Sequence, residues 1–318
     1  MKRQRIVSIF SAVCCFVFSV AWLPAPCQSQ NSPNHPETQT KQPLVVDVDL
    51  VNVAFSAVDK KGKIVTDLSR NDVRVREDDR EQVITSFSQE KDYPLAIAML
   101  IDTSTSLRDK LKVEQEAAID FFHTTVRRKL DKAMLISFDS TIDVLQQFTD
   151  DADQLTKAIR RLKPGGGTTM FDAIRLACQD HLNRQEGKRR ILVLISDGDD
   201  NMSFESLNST LEIAQRTDVS IFTISTNTSG FFGMESPKND KTLKRLAEDT
   251  GGRAFFPNKL EEMAVDFLEI SQELRNQYSL AFRSTNRKRD GSFRSIKIDS
   301  NRRDIKLQHR KGYYSPTG

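Results

Sequence analysis

Short apolar segments that alternate with stretches of helical periodicity constrain the fold of this chain more than any other feature. Leu95–Ile101 is apolar at every position, Ile191–Ser196 is apolar up to its last residue, and Val219–Ser225 is apolar at four of its seven positions. A strand that is apolar on both sides has to be covered on both faces, which is typical of parallel sheets. The alternation therefore predicts an α/β fold, with a doubly wound, mostly parallel sheet between two layers of helices.

The same pattern predicts the helices and the remaining strands. Leu107, Leu111, Ala118, Phe121 and Phe122 mark one face of a first helix. Further helices are predicted at 151–161, 169–183, 203–216, 240–249 and 259–276, and further strands at 133–138, 142–148 and 253–256. Only a few polar residues join the strands at 133–138 and 142–148, so we expect them to form an antiparallel hairpin at the sheet edge.

The two ends of the chain differ from this central part. Residues 1–29 begin with basic residues and continue as an apolar stretch. They predict a signal peptide for export to the periplasm, the cell surface or the medium, with an uncleaved anchor as the alternative. Residues 30–43, rich in proline and polar residues, predict a flexible linker. Strand patterns at 44–90 and 278–315 flank a central domain at 92–277, and neither has enough apolar area to be stable alone. We therefore expect them to pair into a second, smaller β-sandwich-like domain.

Charge and cysteine usage exclude several classes of protein. The formal net charge is +3, which three basic residues of the leader account for, so a nucleic-acid partner has no support. Only Cys178 lies outside the leader, so we expect no intramolecular disulfide and a buried thiol. Basic residues between the apolar positions of the last strands predict a solvated face: Arg294, Lys297, Lys306 and Arg310. Asp199 and Asp200 are interpreted as solvated loop charges.

Polar residues follow two of the apolar strands, at the ends where open parallel sheets bind ligands. AMLIDTSTS (98–106) ends a strand at Asp102, and LVLISDGDDN (192–201) ends another at Asp197. Between them, KPGGGTTMFDA (163–173) combines glycines, which let the backbone turn sharply, with two threonines at the start of a helix. Carboxylates and hydroxyls gathered at one edge suit a hard divalent cation. We expect Mg²⁺, with Mn²⁺ or Ca²⁺ as alternatives.

This arrangement resembles the metal-ion-dependent adhesion site (MIDAS) of von Willebrand factor type A domains. The family pattern is D-x-S-x-S followed by a distant threonine and a distant aspartate, and it corresponds here to Asp102, Ser104, Ser106, Thr168 and Asp197. Thr169 is an alternative to Thr168, although the glycine spacing favours Thr168. The resemblance implies a Rossmann-like domain whose serines and threonine bind the metal directly or through water, and whose aspartates bind it directly or as outer acceptors.

The resemblance extends beyond the site to nearly the whole exported chain. Four further segments resemble the VWFA-related domain family described from acidobacteria: VTDLSRNDVRVREDDREQVITSF (65–87), LAEDTGGRAFFP (246–257), ELRNQYSLAF (273–282) and KGYYSP (311–316). Members of that family are mostly uncharacterised exported proteins. This likeness therefore implies a fold and a location rather than a ligand.

The sequence is compatible with three functions. We favour an exported, non-enzymatic module that captures an acidic side chain of a partner protein through its cation. The alternative is a structural or assembly factor of the cell envelope whose metal site is vestigial. A hydrolase that uses the same cation is disfavoured, because the four histidines are scattered and neither G-x-S-x-G nor H-E-x-x-H is present. The sequence leaves the partner and the oligomeric state open.

Overall fold

The computed structural model describes residues 50–105, 110–227 and 237–318, so the predicted leader and linker lie outside the described residues. The strands are β1 Leu50–Asp59, β2 Val73–Glu77, β3 Arg80–Gln82, β4 Ile84–Gln89, β5 Leu95–Asp102, β6 Lys132–Phe138, β7 Ile142–Thr149, β8 Arg189–Ser196, β9 Val219–Ser225, β10 Ala254–Phe255, β11 Tyr278–Arg283, β12 Phe293–Ser300, β13 Ile305–His309 and β14 Gly312–Tyr314. The helices are α1 Leu111–Thr125, α2 Ala152–Ile159, α3 Met170–Leu176, α4 Leu207–Arg216, α5 Pro237–Thr250 and α6 Met263–Arg275. Over the described ranges, no helix is both long and apolar enough to span a membrane.

The centre of the molecule is a six-stranded sheet in the order β10-β9-β8-β5-β6-β7. Its strands are parallel except β7, which pairs antiparallel with β6 at the edge. The predictions of a mostly parallel sheet and of an antiparallel edge hairpin are thus confirmed. One core lies between the sheet and α1, α2 and α6, and a second lies between the sheet and α3, α4 and α5. Every residue of β5 is buried, as expected for a strand covered on both faces.

The two ends of the chain form a pair of antiparallel sheets around a third core. β1 pairs with β11 and β13, so strands from before and after the α/β domain alternate in one sheet. In the other sheet β2 and β3 lie beside β12 and β14, and β2 pairs with β12. Phe55, Phe87 and Tyr278 pack ring against ring between them. The predicted fold class, an α/β domain with a smaller β-sandwich-like domain formed by the terminal strands, is confirmed.

Two adjacent glycines lie where the α/β domain contacts the last strands. Gly251, at φ +87°, and Gly252 follow α5, where the backbone of one domain meets the other. A Cβ on Gly252 would lie 2.0 Å from the carbonyl oxygen of Ile221, and one on Gly251 would lie 2.6 Å from the amide nitrogen of Arg310. The Gly252 carbonyl also accepts a hydrogen bond from the Gln308 side chain at 2.9 Å. The TGG stretch is therefore required by close backbone approach.

The predicted solvated basic face is wrong for Arg294. Its side chain is only 3% exposed, and its guanidinium donates to Ser284 Oγ at 3.1 Å and to the Asn286 carbonyl at 2.7 Å. It lies 3.9 Å from Glu77, whose carboxylate also accepts from the Tyr313 hydroxyl at 2.9 Å. A buried arginine is tolerated because charged and neutral acceptors surround it. Its partner lies on β2, far away in the sequence.

Two predicted helices also differ from the structure. The helix predicted at 169–183 is α-helical only through Leu176 and then widens into a π-helical turn at Ala177–His181. Cys178 lies in this turn and is buried and unpaired, as predicted. The helix predicted to start at residue 203 starts at Leu207, because Ser206 caps it by accepting the Ser209 N–H at 3.2 Å.

Candidate functional site

Three parallel strands end at the same edge of the central sheet, and the predicted site residues lie there. β5 ends at Asp102, β8 ends at Ser196, one residue before Asp197, and the neighbouring β9 ends at Ser225. Asp102 is completely buried. One of its carboxylate oxygens accepts the Ser104 N–H at 2.9 Å, and the other accepts the Ser196 hydroxyl at 2.8 Å. Asp102 is thus held between two of the predicted loops.

The glycine-rich loop lies directly against the loop that follows Asp102. The Gly165 N–H donates to the Thr103 carbonyl at 2.6 Å, and the Thr105 N–H donates to the Gly166 carbonyl at 3.2 Å. A Cβ on Gly165 would lie 1.7 Å from a carboxylate oxygen of Asp139. Glycine is therefore needed here for space, because the loop runs tightly between two others.

The loop that carries Thr168 contacts the loop that follows Asp197. The Thr168 N–H donates to the Asn201 side-chain oxygen at 3.0 Å, and the Thr168 carbonyl accepts the Met202 N–H at 3.0 Å. Thr168 and Ser104 are both buried. Asp102, Ser104, Thr168 and Asp197 are thus carried by loops that contact each other. Ser106 lies outside the described residues.

The structure separates the two adjacent threonines by what their hydroxyls do. The Thr169 hydroxyl donates to the Asp139 carbonyl at 2.9 Å, so it is engaged in holding the β6–β7 turn. No described residue hydrogen-bonds to the Thr168 hydroxyl. This difference favours Thr168 over Thr169 as the threonine that corresponds to the family pattern.

The electrostatics of Asp102 are those of a buried, undercompensated carboxylate. Burial raises its pKa to about 6, the negative charge of Asp197 adds to the rise, and hydrogen bonds from Ser104 and Ser196 oppose it. These donors are neutral. A nearby positive charge would remove the penalty.

The donor set fits a hard cation more than a transition metal. Among the described residues, no three histidine, cysteine, aspartate or glutamate side chains come together to hold a metal. The predicted ligands are instead hydroxyl and carboxylate oxygens, which suit Mg²⁺, Mn²⁺ or Ca²⁺. Few carboxylates would leave the ion a net positive charge, so it could bind an acidic group from outside.

Three residues of this region escaped the sequence interpretation. Ser196 donates to Asp102 and also accepts the Gly198 N–H at 3.0 Å. Asp200, predicted to be a solvated charge, instead accepts the Phe171 N–H at 3.0 Å at the start of α3 and the Ser203 hydroxyl at 2.7 Å. Glu114 lies buried on α1. Its spacing from Ala118, Phe121 and Phe122 places Glu114 on the same apolar face of the helix, and this spacing could have identified it from the sequence.

Comparisons with known proteins agree with this fold. Residues 97–199 match the family described as von Willebrand factor type A domain. The mussel byssus proximal thread matrix protein 1, with a zinc-occupied MIDAS motif, is 15% identical, with a TM-score of 0.51 over 64% of this chain and 50% of that chain. BatB from Bacteroides thetaiotaomicron is 17% identical, with a TM-score of 0.47 over 57% of this chain and 100% of that chain.

A third similar structure is the domain of the type V pili tip protein Mfa5 from Porphyromonas gingivalis. It is 16% identical, with a TM-score of 0.48 over 57% of this chain and 95% of that chain. No curated protein matches the chain significantly. The family match lies on β5 through the loop after β8, the region that carries the candidate site. Residues 97–199 thus match a von Willebrand factor type A domain, and the chain has the Rossmann-like α/β fold of such domains, to which the terminal strands add antiparallel sheets.

Proposed function

We propose that this protein is an exported, non-enzymatic binding module that holds a divalent cation at Asp102, Ser104, Ser106, Thr168 and Asp197 and uses it to capture an acidic group of a partner protein. The observation that carries the proposal is the buried Asp102 carboxylate, whose hydrogen-bond donors are neutral. A cation beside Asp102 would compensate its charge and keep part of its own for a visiting carboxylate. The proposed ion is Mg²⁺, with Mn²⁺ or Ca²⁺ as alternatives.

The surface beside the site supports a protein as the partner. Phe204 is 100% exposed and Met202 is half-exposed, and both follow the Asp197 loop. The Met202 N–H is bonded to Thr168, so this apolar edge adjoins the candidate ligands. Exposed apolar groups beside a polar site favour a macromolecular partner over a small ion. We expect an acidic side chain with apolar neighbours.

The proposed location is outside the cytoplasm, at the cell envelope or beyond it. It rests on the leader sequence at residues 1–29. The proposed subfamily is the VWFA-related domain family described from acidobacteria. The TGG stretch of that resemblance has a physical role here, because Gly251 lets the chain after α5 approach the Arg310 backbone and Gly252 lets it approach Ile221 of β9.

The test is a calorimetric titration of the purified chain with Mg²⁺, Mn²⁺ and Ca²⁺. We expect saturable binding that is lost in Asp102→Ala and kept in Asp92→Ala, a control at a carboxylate that is 91% exposed. A wild-type chain that binds none of these ions, or an Asp102→Ala variant that binds as well as the wild type, would contradict the proposal.

The partner is tested by affinity capture from the native envelope with and without a chelator. Capture that is lost on chelation and restored by Mg²⁺ supports cation-dependent binding of an acidic group. Capture that survives chelation instead supports the structural or assembly role with a vestigial metal site. Turnover of a phosphoester or peptide that disappears in Asp197→Asn would support a hydrolase.

A further inference from the structure

A second buried carboxylate lies on the helix that follows the loop after Asp102. Glu114 is on the first turn of α1, the helix that follows the DTSTS stretch, and its side chain is 0% exposed. Both of its carboxylate oxygens are buried, and neither has a hydrogen-bond partner in the part of the chain that the structure describes. The other buried members of this helix face are mostly apolar and pack in the core.

A glutamate in this position is costly unless something compensates it. Burying a carboxylate without donors loses its hydration and gains no hydrogen bond. An apolar side chain of similar length would fill the same space without that cost. Packing alone therefore does not account for a glutamate at this position.

The charges that surround Glu114 belong to the candidate site. Burial raises the pKa of Glu114 to about 8, with smaller contributions in the same direction from Asp102 and Asp197, and Lys110 opposes them. The Lys110 ammonium is already engaged, because it donates to the Thr226 carbonyl at 2.6 Å. The Thr226 hydroxyl is also buried and lacks a partner among the described residues. Unsatisfied oxygens thus lie on the α1 side of the strand ends.

We propose that Glu114 supports the cation site from outside its ligands, by adding negative charge to that of the two aspartates from the α1 side. The proposal rests on the function proposed above, since it requires a cation beside Asp102. With the ion present, the attraction that Glu114 gains offsets the cost of its burial. Glu114 would thus raise cation affinity and reduce the positive charge that the ion presents to an acidic partner.

The test compares Glu114→Gln with Glu116→Gln by calorimetric titration with Mg²⁺ and Mn²⁺. Glutamine keeps the shape and removes the charge, and Glu116 is a matched control on the same helix with a side chain that is 66% exposed. We expect the Glu114 variant to bind the cation about 10 to 100 times more weakly, as is typical for groups that support a metal site from outside its ligands. Glu116→Gln should bind like the wild type.

A second variant and a second readout separate charge from packing. Glu114→Asp keeps the charge, so it should retain more cation affinity than Glu114→Gln; the reverse order would overturn the inference. In cation-free protein, the chemical denaturation midpoint of Glu114→Gln should equal or exceed that of the wild type. A wild type that binds cation while Glu114→Gln binds equally well overturns this inference alone. A wild type that binds no cation overturns the proposed function as well.

Discussion

The two ends of the parallel sheet bury carboxylates in opposite ways. At the amino end, the fully buried Asp131 precedes β6 and accepts the N–H groups of Leu95 and Arg127, each at 2.9 Å, and the guanidinium groups of Arg127 and Arg275. Burial alone would raise the pKa of Asp131, but the hydrogen bonds from Arg275, Arg127 and Leu95 outweigh it and lower the pKa.

At the carboxyl end, Asp102 is equally inaccessible to solvent, but its donors within the described chain are neutral, and its pKa is raised. Glu114 nearby has no donor within the described chain. Carboxylates that are closed off from solvent thus stabilise the fold at one end and leave negative charge uncompensated at the other. Charge compensation, rather than burial, therefore separates a structural carboxylate from a candidate ligand.

The largest effect is expected at the amino end. Asp131→Ala should lower the free energy of unfolding by about 3 kcal/mol or more, because it leaves Arg275 and Arg127 without their buried partner. Urea denaturation measures the change. Asp102→Ala in cation-free protein is the matched comparison and should lose much less. If the two variants are equally destabilised, the contrast between the two ends is wrong.

The pH dependence of stability should have opposite signs at the two ends. The folded-state pKa of Glu114 is raised to about 8, so the folded protein holds a proton that the unfolded chain releases, and cation-free stability falls as the pH rises from about 5 to about 8. The limiting slope is about 1.4 kcal/mol per pH unit for each proton. The lowered pKa of Asp131 means that its contribution is present above its unfolded pKa and is lost as the pH falls through its folded value.

Denaturation at several pH values, with and without Glu114→Gln, checks this sign. The variant should lose the fall in stability above a pH of about 6. The fall at lower pH, to which the raised pKa of Asp102 contributes, and the loss of stability in acid assigned to Asp131 should remain. A wild-type stability that rises over the same interval would show that Glu114 is compensated after all.

The adjacent residues Thr168 and Thr169 should respond differently to the loss of their hydroxyls. Thr168→Ala should weaken cation binding about tenfold, which corresponds to about 1.4 kcal/mol, because its hydroxyl is the proposed ligand. Thr169→Ala should keep cation affinity and instead lose stability, because its hydroxyl holds the Asp139 carbonyl. Calorimetric titration measures the cation affinity of both variants and denaturation measures their stability, and together they show which threonine binds the cation. If Thr169→Ala weakens cation binding and Thr168→Ala lowers stability instead, Thr169 is the ligand.

The smallest effect is expected at Ser196. Ser196→Ala removes the hydroxyl that donates to Asp102 and accepts from Gly198, and should cost about 1 kcal/mol of stability in cation-free protein. Thermal unfolding monitored by circular dichroism measures the loss. Saturating Mg²⁺ should reduce the difference, because the ion takes over the compensation of Asp102. A difference that grows with Mg²⁺ would contradict this role of the ion.

Local pattern was enough to predict much of the fold. Leu95–Ile101 had to be a strand covered on both faces, and its ending at Asp102 placed the site at the carboxyl edge of the sheet. The pairing of the terminal strands followed from their small apolar area. These features depend on residues that are near each other in the sequence, or on what a segment lacks.

Features that depend on distant partners could not be predicted. Arg294 has the sequence context of a solvated basic residue, and only the arrival of Glu77 and Tyr313 from other strands makes its burial tolerable. Asp200 lies in an acidic loop, and its role at the start of α3 depends on how two loops meet. Glu114 is different, because its helical spacing was visible and only the absence of partners had to await the structure.

The interleaved pairing of the terminal strands has a consequence for biosynthesis. The neighbours of β1 in its sheet are β11 and β13, and Tyr278 of β11 also stands opposite Gln89 of β4. During vectorial synthesis or translocation, β1 and β4 must therefore wait, with open edges, until roughly two hundred further residues have emerged, about ten seconds or more at typical translation rates. The central domain can form in that interval, because the chain enters it from β4 and leaves it into β11, and these two strands are neighbours in one sheet. The last strands then complete the two antiparallel sheets.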